Sequence, residues 1–191
     1  MKSIILVRHA ETAMAGKFCG HADPDLNAAG EMQLPPIVEG VVRCGIDRII
    51  ASDLRRALRT AQAIGCEIGV EPQLRPQLRE IHFGLWEGLT WAEITERYPR
   101  EVRTWLSEFP KSSAPDGEPY ATFCERIEAE FKLLIDSLAN QTTAVITHAG
   151  PMRFALTKFF GWSEQDAFEQ TAAYGAVVVV PGMLPVQGVL P

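Results

Sequence analysis

Two short apolar runs that each deliver a histidine to a loop constrain the fold more than any other feature of this chain. The first spans residues 4–7 and is followed by Arg8 and His9, and the second spans residues 144–147 and is followed by His148. Both runs have the length and the apolar composition of buried strands. Because open α/β sheets bind ligands at the carboxyl ends of their strands, we expect the two histidines to belong to one site.

Helical patterns alternate with strands along the rest of the chain. Further strands are predicted at 46–51, 66–70 and 177–180, with an edge strand at 183–191; helices are predicted from 28 onwards, from 53 to about 64, and at 91–98, 101–108, 120–139 and 151–160. This alternation predicts a single α/β domain over residues 1–191, with three α/β/α layers and a mostly parallel central sheet. The aromatic segment at about residues 80–120 interrupts the alternation and is expected to be an inserted lid.

Polar residues and prolines mark the expected boundaries of the first two helices. Asn27 should cap the first helix, because its side chain can accept a hydrogen bond from a free backbone amide. Pro35 and Pro36 should break or restart that helix, since neither can donate the helical hydrogen bond. Ser52 or Asp53 should cap the second helix.

Composition and charge narrow the class of partner. The chain has 191 residues and a formal net charge of −6, which argues against nucleic acid and against an anionic membrane as partners. Its apolar runs are shorter than a secretion signal or the ~20 residues of a membrane span, so we expect a cytoplasmic protein. The four cysteines are scattered and form no metal-binding pair, which favours reduced thiols.

Two arginines and two histidines supply the chemistry of a phosphate site. Arg8 and Arg56 carry planar forks that can bind phosphate oxygens in pairs. His9 and His148 can each act as a nucleophile or as a hydrogen-bond donor to phosphate. The chain has no P-loop, no Cys-x5-Arg loop and no carboxylate cluster for a two-metal hydrolase. The pattern therefore predicts phosphoryl transfer from a small phosphorylated metabolite through a phosphohistidine, with no metal and no other cofactor.

The leaving oxygen of such a transfer needs a proton, and Glu80 is the best candidate for the acid. It stands in LREIHFGLWEG, where Glu87 is a near rival and Phe83 and Trp86 begin the aromatic lid. Each residue alone also has a structural interpretation, such as a surface ion pair for Arg8, a cap for Glu80 or plain lid core for the aromatic residues. The combination favours the catalytic interpretation, because both histidines follow strands.

Four motifs resemble those of the histidine phosphatase superfamily, which includes the cofactor-dependent phosphoglycerate mutases. VRHAET is similar to R-H-G-E-[ST], ASDLRRALRTA to S-x-L-x-R-A-x-x-T-A, LREIHFGLWEG to L-x-E-x-x-F-G-x-W-E-G, and VITHAG to V-[ST]-H-x-G. The resemblance implies the following roles: His9 as nucleophile, Arg8 and Arg56 as phosphate ligands, Glu80 as acid and base, and His148 as a second catalytic histidine that also binds phosphate.

The loop GHADPDLNAAG resembles the superfamily's loop that closes over the substrate. Together with the motifs above, it implies a substrate pocket made of Thr12, Gly20, His21, Phe83 and Trp86.

Two positions depart from the superfamily pattern. Ala10 stands where glycine is usual, which requires backbone angles that suit an L-residue. The superfamily often has a phosphate-binding asparagine at about the position of Ala15. That ligand is therefore lost here, or is replaced by a backbone amide, Thr12 or His21.

The short chain and compact lid resemble phosphatases more than mutases, which usually carry a longer insertion after the acid. The segments GHADPDL, HFGLWEG and GEPYATFCERI most resemble α-ribazole-5′-phosphate phosphatases of cobalamin biosynthesis. The resemblance implies hydrolysis of that metabolite through a phosphohistidine on His9. The alternatives are a phosphoglycerate mutase, a broad sugar-phosphate phosphatase and a catalytically silent binding module for a phosphorylated ligand. The sequence does not distinguish a monomer from a homodimer.

Overall fold

The computed structural model describes residues 3–138 and 140–181 of the chain. Within this part, five strands form one sheet: β1 (Ser3–Arg8), β2 (Arg48–Ala51), β3 (Gln73–Leu74), β4 (Thr142–Thr147) and β5 (Val177–Pro181). Their order is β3-β2-β4-β1-β5, with four parallel strands and β5 antiparallel at one edge.

Helices cover both faces of this sheet. The described residues form α1 (Ala28–Val42), α2 (Arg55–Ile68), α3 (Trp91–Arg97), α4 (Pro99–Glu108), α5 (Tyr120–Asp136), α6 (Ala149–Phe160) and α7 (Glu164–Thr171). Alternate residues of β1 point to opposite sides, so that Ile5 and Val7 pack with α1 and α2 while Ile4 and Leu6 pack with α5, α6 and α7. The predicted α/β/α layers and mostly parallel sheet are therefore confirmed.

Helix α1 runs through Pro35 and Pro36, so the predicted break is wrong. Both prolines are exposed and point away from the sheet. The carbonyl groups that they leave without a helical donor belong to Glu31 and Met32, which are exposed as well. Because water can hydrate these carbonyls, the missing hydrogen bonds cost too little to interrupt the helix.

The predicted helix caps are correct for α1 and wrong for α2. Asn27 caps α1 through its side-chain oxygen. Neither Ser52 nor Asp53 caps α2; instead, Asp23 from the preceding loop accepts the backbone N–H of Arg55 at 2.7 Å. The loop before α1 is thereby tied to the start of α2.

Residues 66–70 end α2 and form a turn, so the strand predicted there is wrong. Gly69 adopts φ +71° and donates its N–H to the carbonyl of Gly65, which stops the helix. The strand comes later, as the two-residue β3. A short apolar run does not distinguish the last turn of a half-buried helix from a strand.

The remaining boundaries are mostly close to prediction. Helix α7 is absent from the sequence-based assignment, and α5 ends at Asp136 rather than at 139. The edge strand predicted at 183–191 lies outside the described residues. Within the described part of the chain, no helix has both the length and the apolar character needed to cross a bilayer.

Residues 80–120 leave the layered pattern and form the predicted lid. Helices α3 and α4 lie here, after a one-turn 3-10 helix at Gly84–Trp86. Trp86 is completely buried against Ile94, Val102 and Ala114. This small apolar cluster gives the lid its own core beside the carboxyl end of the sheet.

Candidate active site

Three polar residues meet where the parallel strands end. The ladder between β1 and β4 continues one residue further, so that the N–H of His9 donates to the carbonyl of Thr147 at 3.0 Å. The ladder between β2 and β4 continues likewise, with the N–H of Ser52 donating to Ile146 at 2.9 Å. His148 follows directly, and its ring centroid lies 5.0 Å from that of His9. The register of the sheet thus brings both histidines together, as predicted.

The ring of His9 is held in one tautomer. Its Nδ1 lies 2.7 Å from the carbonyl oxygen of Ala10, which can only accept, so Nδ1 carries the proton. Its Nε2 lies 3.3 Å from Nε of Arg56, which can only donate. The lone pair of His9 is therefore on Nε2, where it accepts from Arg56, and this is the atom that a nucleophile in this position would use.

His148 is oriented by hydrogen bonds at both of its nitrogens. Nδ1 accepts from Nε of Arg56 at 3.2 Å, and Nε2 lies 2.9 Å from Oγ of Ser52 and donates to it. Burial, followed by the charge of Arg56, lowers the pKa of both His9 and His148 well below the ordinary value of 6.5. Both rings are therefore neutral at neutral pH.

These two buried histidines should make the protein less stable in mild acid. Folding lowers their pKa, so below pH 6.5 the unfolded chain binds protons that the folded protein does not. The free energy of unfolding should then fall with falling pH, by up to about 1.4 kcal/mol per pH unit for each histidine. Urea unfolding between about pH 5 and pH 7.5 measures this slope. A His148→Asn variant should show a shallower slope, and a pH-independent wild type would contradict the expectation.

Arg56 connects the histidines to the loop before α1. It is fully buried, although it lies in the first turn of α2. While Nε faces the two histidines, the terminal nitrogens donate to the carbonyls of Gly20 at 2.7 Å, Ala22 at 2.8 Å and Cys19 at 3.4 Å. The fork of Arg56 therefore holds the backbone of residues 19–22 over the histidines.

Replacement of Arg56 by lysine should strongly impair catalysis. A lysine keeps the charge, but its single nitrogen cannot contact both histidines and the loop carbonyls at once. We expect Arg56→Lys to lose about 2–4 kcal/mol of transition-state stabilisation, measured as kcat/KM on p-nitrophenyl phosphate. The matched control is Arg59→Lys on the same helix, where an exposed ion pair to Glu31 should matter little. Equal activity of the two variants would show that Arg56 has no role in catalysis.

Arg8 lies on the other side of His9. One of its terminal nitrogens donates to the carbonyls of Thr171 and Ala172, and its guanidinium lies 4.2 Å from the ring centroid of Tyr174. Its Nε is buried and has no hydrogen-bond partner among the described residues. Arg8 is therefore anchored at one edge and keeps donors available for a bound anion.

A cavity of about 220 Å³ opens above His9, and we call it the histidine cavity. Arg8 and Thr12 line it, as the sequence predicts for a phosphate pocket. Lys17 and Tyr174 line it too, although no sequence pattern indicates either residue. Lys17 adds a positive charge beside that of Arg8. Ala15, at about the position of the superfamily's usual asparagine, is exposed and does not line the cavity.

Glu80 lines the histidine cavity and is almost fully buried. Its carboxylate accepts the N–H of Gly150 at 2.9 Å and that of Ile81 at 2.9 Å. A Cβ atom at position 150 would lie only 2.1 Å from Oε1 of Glu80, so only glycine leaves room for this carboxylate. The backbone after His148 thus fixes the candidate acid in the wall of the cavity that the candidate nucleophile also lines.

A second cavity, of about 470 Å³, adjoins the first, and we call it the aromatic cavity. Glu80 and Phe83 line both cavities and mark the boundary between them. The wall of the aromatic cavity also contains Trp105, Phe109, Tyr120, Phe123, Phe154 and Phe168. A phosphate bound beside His9 would therefore direct the rest of its ester past Glu80 into an aromatic pocket.

Three of the predicted pocket residues line neither cavity. Gly20 and His21 belong to the loop held by Arg56, and Trp86 lies in the core of the lid. The rival acid Glu87 is engaged by the loop, since it accepts the backbone N–H groups of His21 and Ala22.

The substitution at position 10 fits the fold. Ala10 is fully buried and its φ is not positive, so an L-residue is accommodated where the superfamily has glycine. Its N–H donates to the hydroxyl of Thr60 at 3.1 Å.

Comparisons with known proteins bear on the family and the fold of the chain. The sequence profile of the histidine phosphatase superfamily (branch 1) matches residues 4–181. Phosphoserine phosphatase 1 of Hydrogenobacter thermophilus is 33% identical over 155 residues, 80% of this chain and 74% of its own. The adenosylcobalamin/alpha-ribazole phosphatase of Escherichia coli is 27% identical over 161 residues, 82% and 78% of the two chains. The crystal structure of the alpha-ribazole phosphatase of Shigella flexneri superposes with a TM-score of 0.84 at 22% identity, over 94% of this chain and 90% of that one.

Proposed function

We propose that this chain, a phosphatase that belongs to the histidine phosphatase superfamily, hydrolyses phosphomonoesters through a phosphohistidine formed on His9. The observation that carries the proposal is the state of His9. Its ring is neutral, its Nδ1–H is held by Ala10, and its Nε2 lone pair lies beside the histidine cavity. A neutral imidazole with this tautomer is ready to attack phosphorus.

In the first step, Nε2 of His9 attacks the phosphorus and the bond to the ester oxygen breaks. Arg8 binds the phosphoryl oxygens from the cavity wall. Arg56, whose nitrogens face the histidines and the loop carbonyls, adds its positive charge from behind the histidine rings. Both charges stabilise the negative charge that is redistributed over these oxygens in the transition state. Glu80, at the boundary of the two cavities, gives its proton to the departing alkoxide.

In the second step, the carboxylate of Glu80 takes a proton from water, whose oxygen attacks the phosphohistidine. The P–N bond breaks, inorganic phosphate leaves, and both His9 and Glu80 return to their starting states. The product alcohol leaves from the aromatic cavity.

The aromatic cavity favours an α-ribazole-5′-phosphate phosphatase, active in cobalamin biosynthesis. The leaving group of that ester is a ribose joined to a flat bicyclic base, which offers a large apolar face to aromatic side chains. A volume of about 470 Å³ also lies within the usual range of about 300–1,000 Å³ for pockets that enclose larger metabolites. The leaving group of phosphoserine, in contrast, would fill little of this space.

One observation keeps a carboxylate-bearing substrate, such as 3-phosphoglycerate, as the second candidate. Arg153 lines the aromatic cavity, stacks on Phe168 at 4.3 Å and donates from Nε to Thr171 at 3.0 Å. Its guanidinium forms no ion pair with any described residue. Arg153 is therefore available to bind the carboxylate of a substrate. A phosphoglycerate mutase, or a sugar-phosphate phosphatase that acts on acidic substrates, requires such a group.

A panel of phosphomonoesters tests the proposal: α-ribazole 5′-phosphate, 3-phosphoglycerate, phosphoserine and a fructose bisphosphate, each assayed with EDTA present. We expect kcat/KM to be at least about tenfold higher for α-ribazole 5′-phosphate, a difference of about 1.4 kcal/mol. Activity should survive chelation, because arginines supply the positive charge at the site. A preference for 3-phosphoglycerate would favour the second candidate, and activity that is lost with EDTA and restored by Mg²⁺ would contradict the mechanism.

A further inference from the structure

Arg126 of α5 holds the backbone of the segment that carries Glu80. Its guanidinium donates five hydrogen bonds, to the carbonyls of Gln77 at 2.7 Å, Arg79 at 2.7 Å and Glu80 at 2.9 Å, and to the two carboxylate oxygens of Glu118 at 2.7 and 2.8 Å. All the nitrogens of the guanidinium are thus engaged by residues 77–80 and by Glu118. Among the described residues, no other side chain donates a hydrogen bond to the backbone carbonyl of Glu80.

Glu118 joins the same arginine to the wall of the aromatic cavity. The N–H of Glu118 donates to the carbonyl of His82 at 2.8 Å, and the N–H of His82 donates back to Oε2 of Glu118 at 3.3 Å. Glu80, His82 and Glu118 all line the aromatic cavity. The ion pair is largely buried, with exposed side-chain fractions of 18% for Arg126 and 12% for Glu118. Salt and solvent therefore weaken it far less than an exposed pair.

We propose that Arg126, paired with Glu118, is a positioning residue for the acid–base group Glu80. It contacts no reacting atom; it fixes the backbone from which the carboxyl projects to the boundary of the two cavities. The inference rests on the proposed role of Glu80. The hydrogen bonds from Gly150 and Ile81 set the orientation of the carboxyl group, but the backbone position sets its distance from the ester oxygen. A displacement of about 1 Å at such a group costs on the order of 10²-fold in rate.

The test is Arg126→Lys, which retains the positive charge while a single nitrogen replaces a fork with five donors. We expect kcat for the best alkyl phosphate of the panel to fall about 10²-fold. For p-nitrophenyl phosphate, whose leaving group departs without a proton, we expect a fall of less than about threefold. KM should change little for either substrate. A fold defect alone would lower both activities equally, so equal losses would overturn the proposal.

The matched control is Arg75→Lys. Arg75 pairs with Glu130, one turn further along α5, at 3.3 Å, and so also links this helix to the segment before Glu80. It lines neither cavity. We expect its loss to be small and the same for both substrates. A selective loss on the alkyl phosphate with Arg75→Lys would show that any loosening of this region has the effect, and would overturn the specific role of Arg126.

Glu118→Gln serves as the second variant, because it conserves the shape of the side chain if Arg126→Lys does not fold. It removes one of the two carboxylate oxygens with which Glu118 accepts hydrogen bonds from Arg126, and we expect a selective loss on the alkyl phosphate of about fivefold or more. Glu80→Gln is measured in parallel. If Glu80→Gln is selective and the Arg126 and Glu118 variants are not, only the positioning role fails. If Glu80→Gln is not selective either, the assignment of the acid fails and the positioning role fails with it.

Discussion

His9→Ala should lower turnover by at least ~10³-fold, because it removes the atom on which the covalent intermediate forms. The pocket that remains would still bind phosphate through Arg8 and Lys17, so we expect binding of inorganic phosphate or vanadate to survive. Steady-state kinetics and a phosphate-binding titration measure the two effects separately. Near-normal turnover in the variant would rule out His9 as the nucleophile.

Trapping the intermediate provides the direct check on this prediction. Wild-type protein quenched during turnover should carry label that is labile in acid and stable in base, which is typical of a phosphohistidine. His82→Ala should still be labelled by p-nitrophenyl phosphate, since the half-exposed His82 lines only the aromatic cavity. Label on a residue other than His9 would assign the nucleophile elsewhere.

The proximity of the two histidines could be predicted from the sequence because it follows from a local pattern, an apolar strand that ends in a polar residue. A strand that ends in a polar residue delivers that residue to the edge of the sheet, and parallel pairing of β1 with β4 aligns Arg8 with Thr147. The same reasoning could have found Ser52, which follows β2 in the same way. Lys17 and Tyr174 carry no such signal, because one lies in a loop and the other precedes the antiparallel strand β5.

The errors in the predicted fold arise where the surroundings of a segment, set by distant parts of the chain, override its local conformational preference. Pro35 and Pro36 disfavour a helix locally, yet the exposure of their side of α1 makes them tolerable. Asp23 replaces the predicted caps of α2 only because the preceding loop folds back over that helix. The carbonyl groups that Arg126 holds are likewise separated from it by more than forty residues. Local patterns contain no information about such contacts.

Glu80→Gln should impair the hydrolysis of esters with poor leaving groups far more than that of esters with good ones. Glutamine fills the same space and can still accept the N–H of Gly150, but it cannot give up a proton. An alkoxide needs that proton and p-nitrophenolate does not, so we expect a loss of about 10²-fold or more on an alkyl phosphate such as α-ribazole 5′-phosphate and of less than about tenfold on p-nitrophenyl phosphate. The ratio of the two kcat/KM values is the measurement.

Glu87→Gln is the control that separates proton transfer from loop structure. Its carboxylate accepts backbone N–H groups from His21, Ala22 and Phe83, so its replacement should loosen the loop over the histidines and affect both substrates alike. Equal losses for Glu80→Gln would indicate a role in binding or folding instead of acid catalysis. Selectivity for the leaving group that appeared with Glu87→Gln instead would identify Glu87 as the acid, since only the group that donates the proton makes the rate depend on the basicity of the leaving oxygen.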